Sequence, residues 1–287
     1  MRALFEPLPV ILLVVAGLVV TQADGLAQQR PLTTQDPEPI GAGRVLVEGG
    51  FDYGTDVFFP ASGLTGDLLR APLIGVNVGI SSIADLQLSG GLFNRLAVDR
   101  AEAAPLSGML DPLDGTTSDV EDIVLATKVL LISETDARPA FAVHFATRLP
   151  NASNESGLGL DTIDFIVTAA GAKTVTMSTR IAANLGLGVL GNPLRGDSQN
   201  DVLVGAVSVA RTVSDAVEVV GEVSGRINTS SSPPPGTENR GLLKAGTRFK
   251  LGAGRLDAAI LVGLTARDPS IGVAAGYTRV FDAFTIR

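Results

Sequence analysis

His144 is the only histidine among 287 residues. A nucleophilic hydrolase would use it as the base beside a serine. In an extended segment over 139–150, however, His144 shares a face with Ala146 and Arg148, while Phe141, Val143 and Phe145 take the other. That places it in a polar row beside an arginine, and the expectation is no catalytic residue and no enzyme. With zero cysteines, disulfides and thiolate metal sites are excluded. The acidic stretch Asp111, Asp114, Asp119, Glu121 and Asp122 lacks the ligand spacing of a Ca²⁺ loop and reads as a solvated loop. Gly157-Leu158-Gly159 precedes no helix, so it reads as a hairpin loop rather than a phosphate cradle. No metal and no cofactor are expected.

The other chemistry-bearing residues are charges in the middle of apolar segments. Arg180, Glu218, Glu222, Arg226, Lys244, Arg248 and Asp257 stand opposite rows of valine, leucine and isoleucine. Over 216–229, Val217, Val219, Val223 and Ile227 oppose Glu218, Glu222, Ser224 and Arg226. Over 240–252, Leu243, Ala245, Phe249 and Leu251 oppose Lys244, Gly246, Arg248 and Lys250. Mid-strand charge on a lipid face costs roughly 2–4 kcal/mol at the bilayer midplane, so these side chains must face water or a partner. With His144 and Arg148 they are assigned to a lumen. Glu222 on one strand and Lys244 or Arg248 on the next are candidate cross-strand partners. Two readings stay open: a charged constriction that selects solutes, or pairs that only satisfy one another.

The elements that position such rows are staves of a barrel. Twelve period-two segments follow Gly43, at approximately 43–54, 67–79, 83–98, 119–133, 139–150, 159–171, 174–190, 201–212, 216–229, 240–252, 255–266 and 270–282. Short turns after the even segments, among them Ile80-Ser81-Ser82 and Ala172-Lys173, alternate with longer polar loops such as 99–118 and 230–239. A barrel with one periplasmic and one outer rim produces this alternation, and an even count puts both ends on the short-turn side. Thr174 to Val189 becomes the seventh stave, with Arg180 inward. Segment 201–212 is apolar on both parities and has no assigned orientation. The fold class is all-β, a single 12-stranded antiparallel up-and-down transmembrane β-barrel, with 10 or 14 strands as alternatives.

Composition agrees. Charged residues are 18%, glycines number 33 and mean hydropathy is +0.33. Yet no uncharged run past the N-terminus reaches the roughly 20 residues of a membrane helix. A β-rich soluble sandwich is the alternative. The formal charge of −8 argues against nucleic-acid binding. Aromatics are 5% with no Trp, so the interfacial girdles are thin; Tyr53, Phe58, Phe59, Phe141, Tyr277 and Phe281 are the candidates. Residues 1–27 read as a signal peptide: Arg2, the apolar run Leu8 to Val20, then Gly25-Leu26-Ala27 before cleavage. An uncleaved anchor is the other reading. Residues 28–42 form a polar, proline-bearing lead-in expected in the periplasm, and 43–287 the barrel.

Three stretches carry a resemblance: Gly79-Ile80-Ser81-Ser82-Ile83-Ala84-Asp85-Leu86, the run DIVLATK from Asp122 to Lys128, and LPNASNESGLGLDTID from Leu149 to Asp164. In order they resemble the outer-membrane transporter family named for the meta-cleavage pathway of phenol degradation. In this chain Asn151-Ala152 replaces the family's small residue and glycine after Leu-Pro, and no aromatic follows Lys128. The resemblance implies a barrel that helps small, often aromatic or hydrophobic, molecules across the outer membrane of a Gram-negative cell. Expected partners are outer-membrane lipid, a small-molecule solute and, during biogenesis, the barrel-assembly machinery. That machinery reads a terminal aromatic, whereas here Phe284 is followed by Thr285-Ile286-Arg287. The functional expectation is a porin-like channel for a small solute; the alternative is a non-conducting structural or surface-binding barrel acting through its outer loops.

Overall fold

The computed structural model describes residues 30–112 and 114–285. Residues 1–27, read above as a signal peptide, lie outside them. The described chain is one closed antiparallel sheet of fourteen strand segments. Strand β1 (Arg44–Phe59) pairs with β2 (Leu64–Gly79) on one side and with β14 (Ile271–Asp282) on the other, from Arg44 opposite Asp282 to Gly54 opposite Gly272. That last pairing closes the ring.

Fourteen segments make twelve staves. β3 (Ala84–Gly91) pairs with the second half of β2 and β4 (Asn94–Ala101) with its first half, so the two are one stave interrupted at Leu92-Phe93. β5 (Thr116–Asp119) then pairs with β4 and β6 (Val124–Ile132) with β3, giving a second interrupted stave. Single strands complete the circuit: β7 (Ala140–Arg148), β8 (Asp164–Thr176), β9 (Thr179–Gly191), β10 (Gln199–Ser214), β11 (Val217–Asn228), β12 (Arg240–Leu251) and β13 (Gly254–Gly263). Closure gives every stave two hydrogen-bonded neighbours, which a lipid environment demands of a backbone.

One rim carries the tight turns, including 177–178, 215–216 and 252–253, together with Arg44 and Asp282; the other carries 102–115, 149–163 and 229–239. The turn expected at Ala172-Lys173 is instead at Met177-Ser178, and Thr174 to Thr176 finish β8. The reason is physical. A two-residue hairpin by itself swaps the outward parity, as Thr176 opposite Thr179 does, but the bulge between Thr174 and Thr176 swaps it back, so Val175 before the turn and Ile181 after it both face out. The alternation runs through the turn without a break. β10, apolar on both parities, is oriented by its partners: Leu203, Val207 and Val209 face out, while Val202 and Ser208 are buried inside.

The outer surface is a continuous apolar belt, with Phe51, Leu88, Phe145, Phe165, Leu187, Val223 and Ile260 among its exposed members. In water such a surface would drive association; in a bilayer it meets acyl chains. Leu185, 60% exposed at the centre of β9, gives a direct test. Leu185→Arg is expected to cost about 2–4 kcal/mol in urea unfolding from lipid vesicles.

Candidate functional site

Residues 30–42, expected as a periplasmic lead-in, run inside the barrel. The side chains that hold them belong to the inner faces of strands all round the ring, which only a segment within it can touch. Arg30 lies beside Asp257 of β13 (3.6 Å) and donates to the Ala275 carbonyl of β14 (2.8 Å). Its own carbonyl accepts from Arg248 Nε (2.9 Å) and Arg255 Nη2 (3.2 Å). Thr33 and Thr34 then reach Glu222 near the middle of β11. Both backbone N–H groups and both hydroxyls donate to its carboxylate, at 2.6–2.8 Å. The segment turns down again. Gln35 N–H donates to Asn184 Oδ1 (2.6 Å), and Asp36 receives Arg180 Nε and Nη2 (2.6 and 2.9 Å).

On the far side of the ring Lys128 Nζ donates to the carbonyls of Asp36 (3.0 Å) and Glu38 (2.6 Å), and Asp85 accepts the N–H of Ile40. Asp85 and Lys128 face each other in register on β3 and β6, 3.4 Å apart, with both side chains fully buried. The segment leaves toward β1 past Gly79, where a Cβ would overlap the Gly41 carbonyl oxygen. It is thus an arch, entering and leaving by the short-turn rim. Room for it comes from alanines: Ala140, Ala142, Ala170, Ala172 and Ala182 are buried on the inner faces of β7 to β9. A chain segment carrying its own unpaired N–H and C=O groups can occupy a dry interior only if each finds a partner, and the inner charges are those partners.

The lumen assigned from sequence therefore divides in two. Arg180, Glu222, Arg248 and Asp257 hold the arch, as described. Glu218 accepts from Arg248 Nη1 (2.8 Å), and Lys244 lies 3.5 Å from Glu222, opposite it in register. Three residues stand above the arch instead. His144 Nε2 is 3.1 Å from Gln87 Oε1; Arg148 pairs with Asp164 and Asp122; Arg226 donates to the carbonyls of Glu238 and Gly236. These three line a cavity of about 600 Å³ whose floor is Thr33 and Gln35. Its wall includes Ile166 of β8 and Val204 and Ala206 of β10, and its upper side is formed by Phe59 to Ala61, Gly157 to Leu160 and Gly236. The doubly apolar character of β10 has its explanation here. Phe59, a candidate girdle residue, belongs to this inner wall.

The acidic stretch is used internally. Asp119 accepts the N–H and hydroxyl of Ser153, Asp122 the N–H groups of Asn151 and Ala152, and Glu121 pairs with Arg70 (3.0 Å). The carboxylates of Asp119 and Asp122 thereby fold the 149–163 loop inward, which carries Leu158 and Leu160 to the cavity. The sequence reading missed the arch residues Thr33, Thr34 and Asp36, and the gripping pair Asp85 and Lys128. One signal was available, since Lys128 lies on the inner parity of a strand where a lone cation needs a partner.

Glu134, in the turn between β6 and β7, extends the grip to the rim. Burial pushes its carboxyl up, but the Thr174 N–H (2.7 Å), Arg180 Nη1 (2.5 Å) and Lys173 Nζ (3.2 Å) outweigh it and hold the group at about 2. A depressed folded value stabilises above the ordinary 4.5 and is lost as pH falls toward 2. Thermal unfolding across pH 2–5 should therefore show a smaller loss of stability on acidification in Glu134→Gln than in the parent chain.

The sequence matches no protein-family model and no curated protein. Among solved structures the chain is similar to the COG4313 outer membrane channel from Pseudomonas putida F1, with a TM-score of 0.62 and 13% identity over 86% of this chain and 98% of that one. It is also similar to the NanC porin, with a TM-score of 0.51 and 9% identity over 84% of this chain and 100% of that one. At these identities the likeness is one of fold: the chain has the architecture of an outer-membrane channel.

Proposed function

We propose that this protein is an outer-membrane channel that passes a small solute with hydrophobic or aromatic character, through a lumen narrowed by residues 30–42. The observation that carries this reading is the cavity above the arch. A barrel built only as a scaffold has no need of a space of about 600 Å³ with an apolar wall and a few inward polar groups, which is the composition of small-molecule sites generally. The charges assigned to the lumen act mainly by holding the arch, and His144, Arg148 and Arg226 face the solute. Residues 1–27 act as the export signal and the assembly machinery inserts the barrel. The solute-passing activity needs no catalytic residue.

A second reading has its own support, since an arch anchored by so many buried hydrogen bonds suits a closed, non-conducting barrel that works through its outer loops. Planar bilayers separate the two. Discrete current steps from the purified full chain, with liposome entry of a small aromatic solute, support the channel; electrically silent insertion with no solute entry supports the scaffold.

A further inference from the structure

Arg226 is the cavity cation with no ion-pair partner of its own, since the carboxylates of Glu238 and Asp164 act on it only from beyond ion-pair distance. Arg148 sits against Asp164 and Asp122, and Arg240 lies 3.9 Å from Asp268. Arg226 meets no carboxylate within ion-pair distance among the described residues. Its Nε and Nη2 donate to the carbonyls of Glu238 (2.8 Å) and Gly236 (2.5 Å), which fixes the guanidinium plane and leaves Nη1 without a protein acceptor. A fixed guanidinium with open N–H groups is preorganised for a carboxylate. Around this group the wall is apolar, with Ile166, Val204, Ala206, Leu158 and Leu160.

We infer that the cavity is a binding site for a small organic carboxylate, its anionic end on Arg226 Nη1 and its apolar body, of about one aromatic ring, against β8 and β10. The inference deepens the channel reading, on which it rests for the passage of that solute. An apolar wall alone would take a neutral hydrocarbon. Arg226 selects the anion, because its open Nη1 gives a carboxylate a charge-assisted hydrogen bond that a neutral hydrocarbon cannot accept.

Isothermal titration of benzoate and of its neutral counterpart benzyl alcohol into the detergent-solubilised full chain tests this, beside conductance measured with each compound present. Benzoate should bind at least about tenfold more tightly than benzyl alcohol. Arg226→Gln should erase that difference, and Arg226→Lys should retain part of it. Arg226 also holds the 229–239 loop, so Ala206→Phe, which removes no hydrogen bond and fills the cavity, serves as the second variant and should abolish binding of both. Equal binding of the two compounds, binding of neither, or binding unchanged in Ala206→Phe overturns the site. Silent bilayers with calorimetric binding intact would overturn the channel reading while supporting the carboxylate site.

Discussion

Glu222→Gln is expected to raise the time-averaged conductance at least about tenfold. The carboxylate accepts four hydrogen bonds from Thr33 and Thr34 and faces Lys244, and so it holds the part of the arch where Thr33 forms the cavity floor. Bonds to an ionised acceptor contribute about 1.5–3 kcal/mol each, against roughly 0.5–1.5 for neutral ones. Neutralising this acceptor weakens several at once. A combined loss of about 3 kcal/mol shifts the equilibrium between seated and released arch by roughly 100-fold. Lys244 would be left buried and unpaired, which costs stability of its own. The double variant Glu222→Gln with Lys244→Met removes that complication and should conduct at least as well. Single-channel recording distinguishes a longer open time from a larger pore, and conductance unchanged in both variants would show that the arch does not limit flow.

Lys128→Met should have the largest effect on stability, about 3–5 kcal/mol in urea unfolding from lipid vesicles. Both members of the Lys128 and Asp85 pair are fully buried, and breaking such a pair on one side leaves a buried charge without its counterion. Lys128 also carries the carbonyls of Asp36 and Glu38, and Asp85 the N–H of Ile40. The double variant Lys128→Met with Asp85→Leu removes both charges and should recover most of the stability. It cannot recover the bonds to the arch, so it should remain leakier than the parent chain. A single variant as stable as the parent would mean that this pair is not the dry clamp described above.

The staves were legible because a one-sided environment imposes a two-residue period, and because inner charges such as Lys244 and Arg248 mark one parity. The cross-strand partner of Glu222 was half legible: the register puts Lys244 opposite it and gives Arg248 to Glu218. The Met177-Ser178 turn was hidden because outward parity persists through it. The arch was hidden for a different reason. Gln28 to Pro39 is polar and proline-bearing, which describes a solvated leader equally well; its placement depends on Glu222, Arg180, Lys128 and Asp257, distant in sequence and legible only as an unexplained surplus of inner charge. β10 could not be oriented alone because its inner row is also apolar, and that row is the wall of the cavity.

Because the chain has no cysteine, Thr33→Cys introduces a single thiol at the floor of the cavity, on an exposed position of the arch. The most direct test of an arch standing in the conduction path is the single-channel current of this variant before and after reaction with a bulky methanethiosulfonate reagent. The current should fall by more than half on modification and recover on reduction. Complete modification, verified by mass, with an unchanged current would contradict the placement of residues 30–42 in that path.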